Sequence, residues 1–454
     1  MAGPVVVHWF RRDLRLADNL ALRAALDSGA RIVPVFIFDP AILRSPRTGA
    51  PRLKFLLAGL RALDANLREH GSRLLIRHGD PRTVLPDLVR ELGADGLDFN
   101  RDYSPFALRR DADVSAALDI PVHSFDDAVL RAPGDLMKDD GTPYTVYSPF
   151  KKRLRALEPP LKPVSSAIPA GQLLPAGQML HSDEIPTLYD LGFEPTIAVP
   201  EAGEAAAQRA LDVFLDGRVY DYKDTRNRLV INPFGDDPPV GASYLSHFFR
   251  LGMLSPRQAY WAGAEAIDHA LDKDAAKSVS AWVDEVIWRE FYMHILYHFP
   301  HVDRGNFRRE YDALVWRDAP EEFVAWQEGR TGYPVVDAAM RQLRAIGWLP
   351  NRARMVVASF LTKDLFIHWQ AGELHFMQWL IDGDPAANNG GWQWAAGTGT
   401  DAQPYFRIFN PISQGRKFDP DGDYVRYWVP ELRDVPTATI HAPWEADDPP
   451  HDYP

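Results

Sequence analysis

The segment LIDGDPAANNGGWQW places several polar side chains in an aromatic setting. It holds Asp382 and Asp384, separated by one glycine, and then Asn388. Carboxylates that leave water need partners, and Arg354 in the earlier NRARM motif is a candidate partner. The amide of Asn388 both donates and accepts hydrogen bonds, which suits the edge of a heterocycle. A helix junction held by an Asp–Arg pair would have the same pattern, so these residues leave both interpretations open.

A second candidate lies in the motif DEVIWREF, which reads as helix. Glu285, Trp288 and Arg289 are at positions i, i+3 and i+4, so they share one helix face. An aromatic ring beside an acid can stack on a nucleobase and hydrogen-bond it. The alternative is a surface pair between Glu285 and Arg289, worth about 0.2–0.5 kcal/mol.

Three further patterns are weaker. The loop GASYLS leads into a helix and could present backbone N–H groups to phosphates. The stretch GTGTDA matches a dinucleotide-binding fingerprint, but it follows WQWAA instead of a strand, so we reject it. His294, His298 and His301 have near-helical spacing, but no zincin-type glutamate accompanies them, and no metal site is predicted.

Composition excludes several classes of protein. The 454 residues include no cysteine, so disulfides, thiolate catalysis and Cys-ligated metals are impossible. The net charge of −12 disfavours general nucleic-acid binding, although a local basic patch would suffice. No apolar run reaches the ~18 residues of a membrane span, and the N-terminus does not resemble a signal peptide. We therefore expect a cytoplasmic protein that does not enter a membrane.

The chain predicts an α/β part followed by an all-α part. Five strand-like runs, PVVVHWF, RIVPVFIFD, SRLLIRHGD, DGLDFN and IPVHSFD, alternate with helical segments, which predicts a doubly wound parallel sheet of Rossmann-like type. Ligands of such sheets bind beyond the carboxyl ends of the strands. We place this part at residues 1–135, a connector rich in Pro, Gly and Ser at 136–203, and a helical part at 204–454.

Two local predictions concern the helical part. In RARMVVASFLTKDLFIHW, apolar residues recur every four positions from Val357 to Trp369, which predicts one continuous helix. The final residues, APWEADDPPHDYP, are expected to be disordered.

The motifs WFRRDLRLADNLAL, WREF, EGRTGYPVVDAAMRQL, NRARM, DGDPAANNGGWQW and PYFRIFNP, in this order, resemble the DNA photolyase/cryptochrome family. The most similar subgroup is the class I cyclobutane pyrimidine dimer photolyases. The resemblance implies an antenna-binding N-terminal domain and a helical domain that binds FAD and DNA. It also implies light-driven repair, in which excited reduced FAD transfers an electron to a flipped-out dimer in damaged DNA.

The resemblance assigns residues to the cofactor. Asn388 matches the residue that faces flavin N5. The other matching FAD positions are Tyr222, Ala242, Ser243, Tyr244, Leu245, Ser246, Trp282, Arg289, Asn351, Arg354, Asp382, Gly383 and Asp384. The tryptophan chain that photoreduces FAD is matched by Trp392, Trp369 and Trp316.

The resemblance also assigns residues to the DNA. Glu285 matches the acid that hydrogen-bonds the dimer, and Trp288, Met355 and Trp394 match the pocket that holds it. The backbone-binding positions are matched by Arg226, Arg352, Arg407 and Lys417.

The family contains two alternatives, a light-sensing cryptochrome and a (6-4) photolyase. Plant signalling members tend to have Asp where this chain has Asn388, and (6-4) enzymes use histidines where it has Asn351 and Met355. Both differences favour repair of cyclobutane dimers, and we expect a monomer without metal.

The chain departs from the family at three places. Ala242 replaces a usual threonine near the FAD phosphates, and the loop RLVINPFGDDPPV is longer than expected. Folate-binding members have an Asn–Glu pair where this chain has Phe106 and Ala107. The segment NRDYSPFALRRD is more similar to members that bind a deazaflavin or flavin. We therefore expect 8-hydroxy-5-deazaflavin as the second chromophore, ahead of folate or FMN.

Overall fold

The fold is described from a computed structural model of the chain. The described residues are 3–165, 167–195, 197–234, 241–402, 404 and 407–454. Part of the loop expected to be remodelled, residues 235–240, and part of the PYFRIFNP motif, residues 405 and 406, lie outside them.

The N-terminal part is built on a five-stranded parallel sheet in the order β3-β2-β1-β4-β5. The strands are β1 (Val5–Phe10), β2 (Arg31–Phe38), β3 (Leu75–His78), β4 (Gly96–Asn100) and β5 (Val122–Phe125). The central strands are almost wholly buried, as expected for β-branched and aromatic runs covered on both faces. The predicted doubly wound sheet is confirmed.

Helices connect the strands and cover the sheet. They are α1 (Leu20–Asp27), α2 (Pro40–Leu43), α3 (Ala50–Glu69), α4 (Pro81–Leu92), α5 (Pro105–Ala116) and α6 (Tyr147–Ala156). Side-chain caps begin several of them; the Asn19 carboxamide, for example, accepts from the backbone N–H of Leu22 at 3.0 Å. Because the strand order reverses between β1 and β4, the loops after these two strands form the crevice where such sheets bind partners.

The rest of the described chain is helical. Its α-helices are α7 (Glu204–Leu215), α8 (Tyr222–Thr225), α9 (Ser246–Leu251), α10 (Pro256–Asp268), α11 (Lys273–His298), α12 (Pro320–Glu328), α13 (Pro334–Ile346), α14 (Asn351–Ser359), α15 (Trp369–Trp379), α16 (Pro385–Ala396), α17 (Pro411–Phe418) and α18 (Asp423–Trp428). The longest, α11, packs against both α10 and α16. It therefore links the motif DEVIWREF to the segment that follows Asp384.

Two local predictions are wrong. The stripe from Val357 to Trp369 is not one helix, because α14 passes into a π-helical turn, Phe360–Asp364, and Phe366 then adopts a φ of 55°. The His368 ring accepts from the backbone N–H of Gln370 and begins a new helix there. The C-terminal residues are also ordered, since the Tyr453 hydroxyl is buried and donates to Asp337 at 2.5 Å.

Buried ion pairs join the sheet to the helical part. Asp127, in the loop after β5, accepts from Arg15 at 2.6 Å and from Arg257 on α10 at 2.7 Å. Arg257 also contacts Asp18 at 3.1 Å. Burial alone would raise the pKa of Asp127, but the two guanidiniums lower it below its ordinary value. The four charges are almost fully buried, so each depends on the others for its solvation.

Removing one charge from this cluster should destabilise the whole fold. We expect Arg257→Leu to lower the free energy of unfolding by about 3–5 kcal/mol, because it leaves buried carboxylates uncompensated. Urea denaturation followed by circular dichroism would measure this loss. The matched control is Arg90→Leu, which removes an exposed pair with Asp87 and should change stability by less than about 0.5 kcal/mol. Equal effects of the two substitutions would contradict the role given to the buried cluster.

Candidate functional site

Asp382 and Arg354 form the ion pair that the sequence suggested. Arg354 on α14 donates to one carboxylate oxygen of Asp382 at 2.7 Å and to the backbone carbonyl of Leu349 at 2.9 Å. Asp382 is buried, and its other oxygen, Oδ1, has no hydrogen-bond partner among the described residues. Since a buried acceptor without a partner is costly, this oxygen is suited to an N–H group of a bound heterocycle.

Unlike Asp382, Asp384 caps a helix and pairs with Arg12. Its Oδ1 accepts from the first backbone N–H groups of α16, at 2.9 Å for Ala386, and its Oδ2 accepts from Arg12 at 2.5 Å. Burial alone would raise the pKa of Asp384, but three nearby guanidiniums, of which Arg12 contributes most, lower it to about 2. Asp384 therefore stays ionised and fixes the start of α16 against the loop that follows β1.

Asn388 lies in the first turns of α16. Its side-chain N–H donates to the backbone carbonyl of Glu373 on α15 at 3.0 Å. This bond orients the amide so that the side-chain oxygen remains available as an acceptor. An acceptor suits a reduced flavin, which carries hydrogen at N5.

Glu285 pairs with a different arginine from the one considered above. It contacts Arg226 at 2.7 Å, whereas Arg289 donates to the backbone carbonyl of Ala128 at 2.8 Å. The alternative interpretation, a surface pair between Glu285 and Arg289, is therefore wrong. Burial raises the pKa of Glu285, and the Arg226 guanidinium only partly opposes this effect.

Trp288 is backed by an aromatic side chain that the sequence reasoning missed. Its ring is parallel to that of Tyr147 at the start of α6, with centroids 3.5 Å apart and an interplanar angle of 9°. The Tyr147 hydroxyl donates to the backbone carbonyl of Asp284 at 2.8 Å. Tyr147 thus ties the connector to α11 and fixes the plane of Trp288. The aromatic spacing in the motif YTVYSPF was the available signal.

Several cations gather near Glu285. Arg352 donates to the Asn227 side chain at 2.8 Å, and its guanidinium lies 4.4 Å from the Phe418 ring centroid. After burial, the charges of Arg226 and Arg407 are the next causes of its lowered pKa, so the three guanidiniums share one region. Lys417 joins this region through Phe418, with its amine 5.3 Å from the ring centroid.

The remaining pocket candidates adjoin these groups. The Asn351 amide donates weakly to the sulfur of Met355 at 3.7 Å, and both side chains are on α14. Trp394 on α16 stacks loosely on Phe409, with centroids 6.4 Å apart. Phe409 also lies below the guanidinium of Arg407, which brings the wall candidate and the cationic region together.

The residues around GASYLS lie in and beside the apolar cluster that contains Trp348. Leu245 is buried, the backbone of Tyr244 has a φ of 54°, and the Ser246 hydroxyl accepts from the indole of Trp348 at 3.3 Å. Ala242 packs in the same apolar cluster as Trp348. Two buried aromatic candidates, Tyr222 and Trp282, both contact Phe214, whose ring centroid is 5.9 Å from the first and 5.1 Å from the second. Ser243 and Gly383 lie in loops that flank these groups.

The three candidate tryptophans belong to one apolar core. Trp392 on α16 and Trp369 on α15 are buried, and Trp316 is partly exposed. The Trp369 indole donates to Asn306 at 2.9 Å. His368 lies between Trp369 and Trp316, with ring centroids 5.9 Å and 5.1 Å away. Two of the three are thus buried, and Trp316 is the one that reaches the surface.

Two negative expectations can be compared with the described residues. His294 and His298 each bond a backbone carbonyl in the loop after β5, at 3.1 Å and 2.9 Å. In the described ranges, no group of three potential ligands could hold a metal ion. None of the helices described is long and apolar enough to cross a membrane.

Together, the doubly wound sheet and the helical part, in which Asp382 keeps one buried oxygen without a partner among the described residues, define a two-part protein with a candidate site for a polar heterocycle. Residues 6–168 match the DNA photolyase family, and residues 282–453 match the FAD binding domain of DNA photolyase. The chain therefore belongs to the DNA photolyase family.

Relatives agree over almost the full chain. The deoxyribodipyrimidine photo-lyase of Halobacterium salinarum is 43% identical over 96% of this chain and 91% of its own length. A bacterial class III photolyase from Agrobacterium tumefaciens superposes with a TM-score of 0.87 and 38% identity, covering 99% of this chain and 91% of that one. An archaeal photolyase from Sulfolobus tokodaii, solved with two FAD molecules, has a TM-score of 0.82 and 32% identity, covering 99% and 95%.

The ion pair at Asp382 should matter for FAD retention. We expect Asp382→Asn to lower the FAD content of the purified protein by about tenfold, because a charge-assisted hydrogen bond contributes about 1.5–3 kcal/mol. Flavin fluorescence after denaturation measures the bound FAD per chain. The control is Asp87→Asn, an exposed carboxylate on α4, which should keep the full FAD content. Retention of all FAD by Asp382→Asn would remove this residue from the site.

Proposed function

We propose that this protein uses light and a reduced FAD to split cyclobutane pyrimidine dimers in DNA. It is a flavin-dependent DNA repair enzyme, a carbon–carbon lyase, as its family and its relatives named deoxyribodipyrimidine photo-lyase indicate. The observation that carries the residue assignments is α16, which holds Asn388, Trp392 and Trp394 within its twelve residues. One rigid helix therefore joins the flavin-facing amide, the first tryptophan of the chain and a wall of the dimer pocket.

The cofactor is held by the polar groups of the helical part. Bound FAD supplies the photochemistry: in its excited reduced form it gives one electron to the dimer, and the electron returns after the ring opens. Asp382 and Arg354 accept and donate hydrogen bonds at the flavin edge, and the Asn388 oxygen accepts from N5–H. The remaining FAD contacts proposed above supply the rest of the cradle, with Ala242 giving an apolar contact where a hydroxyl is usual.

The dimer enters the site outside the double helix. A lesion cannot reach a buried flavin while it is stacked, and photolyases are among the enzymes that extrude their target base. Trp288, fixed by Tyr147, and Trp394 provide flat surfaces for the extruded bases, and Met355 fills the space beside them. Glu285 hydrogen-bonds the dimer carbonyls and stabilises the charge that develops there.

The acidic chain binds DNA through a local group of cations. Arg226, Arg352, Arg407 and Lys417 contact phosphates on either side of the lesion. Only the local field acts on a phosphate at physiological salt, because the Debye length is about 8 Å. Binding should therefore weaken as the salt concentration rises. Since one chain can supply every contact proposed here, we propose that the enzyme acts as a monomer.

The antenna remains part of the proposal. We assign 8-hydroxy-5-deazaflavin to the N-terminal part, residues 1–135, because Phe106 and Ala107 cannot supply the polar pair that folate would use. The rival is a second flavin, since the photolyase from Sulfolobus tokodaii holds two FAD molecules. Chromatography of the released chromophores separates the two. A role as a light sensor or in (6-4) repair is not favoured, because the curated relatives are named for dimer repair.

The repair reaction itself tests the function. Dimer-containing oligonucleotides should be repaired in blue light and not in the dark by the FAD-loaded protein. Glu285→Ala should lower the yield per absorbed photon several-fold, since it removes a hydrogen bond worth about 1.5–3 kcal/mol to a charged group. FAD content should not change. Repair that is absent from the wild-type protein would overturn the function, and an unchanged yield in the variant would remove only the role of Glu285.

The tryptophan chain is tested separately. Trp316→Phe should abolish nearly all photoreduction of oxidised FAD, because phenylalanine is not oxidised under these conditions. Chemically reduced enzyme should repair dimers at the normal rate. Absorbance changes under illumination measure the first reaction, and the oligonucleotide assay measures the second. The control, Trp444→Phe, replaces a half-exposed tryptophan near Tyr333 and should leave both unchanged. Loss of both activities in Trp316→Phe would contradict its role.

A further inference from the structure

A buried acid, Glu373, lies on the helix that contacts Asn388 and has no part in the roles above. Glu373 on α15 is only 2% exposed. Its Oε2 is 3.4 Å from the Arg47 guanidinium, and its Oε1 is buried without a hydrogen-bond partner among the described residues. A buried acid with a free oxygen is costly to keep unless it does chemistry or meets a group that binds there.

Glu373 is coupled to the flavin-facing side of α16. Its backbone carbonyl accepts the hydrogen bond from Asn388 at 3.0 Å, and the neighbouring Asn389 amide lies against its carboxyl group. The bond to Asn388 uses the main chain of Glu373, so Asn388 does not need this carboxyl to stay oriented. The Glu373 carboxyl therefore lies one residue along α16 from Asn388, and it is available for another role.

A chain of charges leads from this carboxyl to the surface. Arg47 lies in the segment before α3. Its guanidinium pairs with the Asp303 carboxylate and also donates to the Asp303 backbone carbonyl at 2.9 Å. About a quarter of the Arg47 and Asp303 side chains is exposed. Among the described residues, these are the two charged groups that act on the Glu373 carboxyl, and both reach solvent.

The protonation state of Glu373 changes near neutrality. Burial raises its pKa to about 7, and the effects of Arg47 and Asn389 are too small to cancel this. At rest below that pH the carboxyl keeps its proton. A group with a pKa near the working pH is suited to general acid chemistry.

We propose that Glu373 is the internal acid that supplies a proton to the flavin at N5 when FAD is photoreduced. This inference rests on the proposed function, since it needs FAD beside Asn388. Photoreduction of oxidised FAD would take two electrons through Trp392 and one proton from Glu373: the O–H bond of Glu373 breaks, and a single N–H bond forms at N5. The carboxylate that remains is reprotonated from water at the surface next to Asp303, while the Arg47 guanidinium keeps its own protons.

The test is flash photoreduction of the FAD-loaded protein over the pH range around neutrality. In the wild-type protein, proton uptake should slow as the pH rises through about 7, since the acid form of Glu373 is lost. Glu373→Gln should slow proton uptake by roughly 10²-fold and remove the pH dependence, while electron arrival stays fast. The matched control is His375→Gln, on the same helix but bonded to Gln327, which should behave like the wild type.

The flavin-free protein gives an independent measurement. The folded state keeps the Glu373 proton up to about pH 7, whereas the unfolded chain loses it near the ordinary value of 4.5. Stability should therefore fall as the pH rises between these two values. The difference between wild type and Glu373→Gln in urea denaturation should show this fall. A flat difference would overturn the assigned protonation state.

The outcomes separate this inference from the function. Wild-type proton uptake in Glu373→Gln, with normal repair by pre-reduced enzyme, would overturn the inference alone. Absence of FAD or of repair in the wild-type protein would overturn the function instead. If Glu373→Gln does not fold, Arg47→Gln serves, because loss of the guanidinium should raise the pKa of Glu373 and move the pH profile upward. An unchanged midpoint would then contradict the proposal.

Discussion

The cluster of buried charges around Asp127 is the constraint on which the arrangement of this molecule depends. Arg15, in the loop after β1, and Arg257, on α10, both pair with this carboxylate. All three side chains are buried, so water does not solvate their charges. A buried ion pair gives little net stability, but one with a missing partner is strongly unfavourable. The helical part can therefore dock on the sheet only in the orientation that satisfies every member of the cluster.

That orientation carries through to the chemistry. The loop after β1 contributes Arg12 to Asp384, and Asp384 in turn caps α16. The position of Asn388 is thus set by contacts that begin at the edge of the sheet. The α/β part therefore helps to position a site built almost wholly from helices, whether or not it binds a chromophore of its own.

The proposed substrate side of the site contains an ion pair that a ligand can replace. Glu285 is paired with Arg226, and both are about one third exposed. Pairs this accessible contribute little to stability, so a ligand can compete for either partner. By contrast, the pair between Asp382 and Arg354 has one partner fully sequestered, as suits a permanent cofactor. The more buried pair thus lies on the proposed cofactor side, and the more exposed pair lies on the proposed substrate side.

Local periodicity predicts the five strands and most of the helices, and the cost of burying a lone carboxylate predicts an arginine partner for the aspartates before α16. Packing between distant elements sets the contact of Glu285 with Arg226, the stacking of Tyr147 on Trp288 and the contact of Glu373 with Asn388. These partners are remote in the chain, and no spacing rule connects them. The break before Trp369 and the buried Tyr453 were missed for the same reason, since packing against distant elements overrode the local pattern.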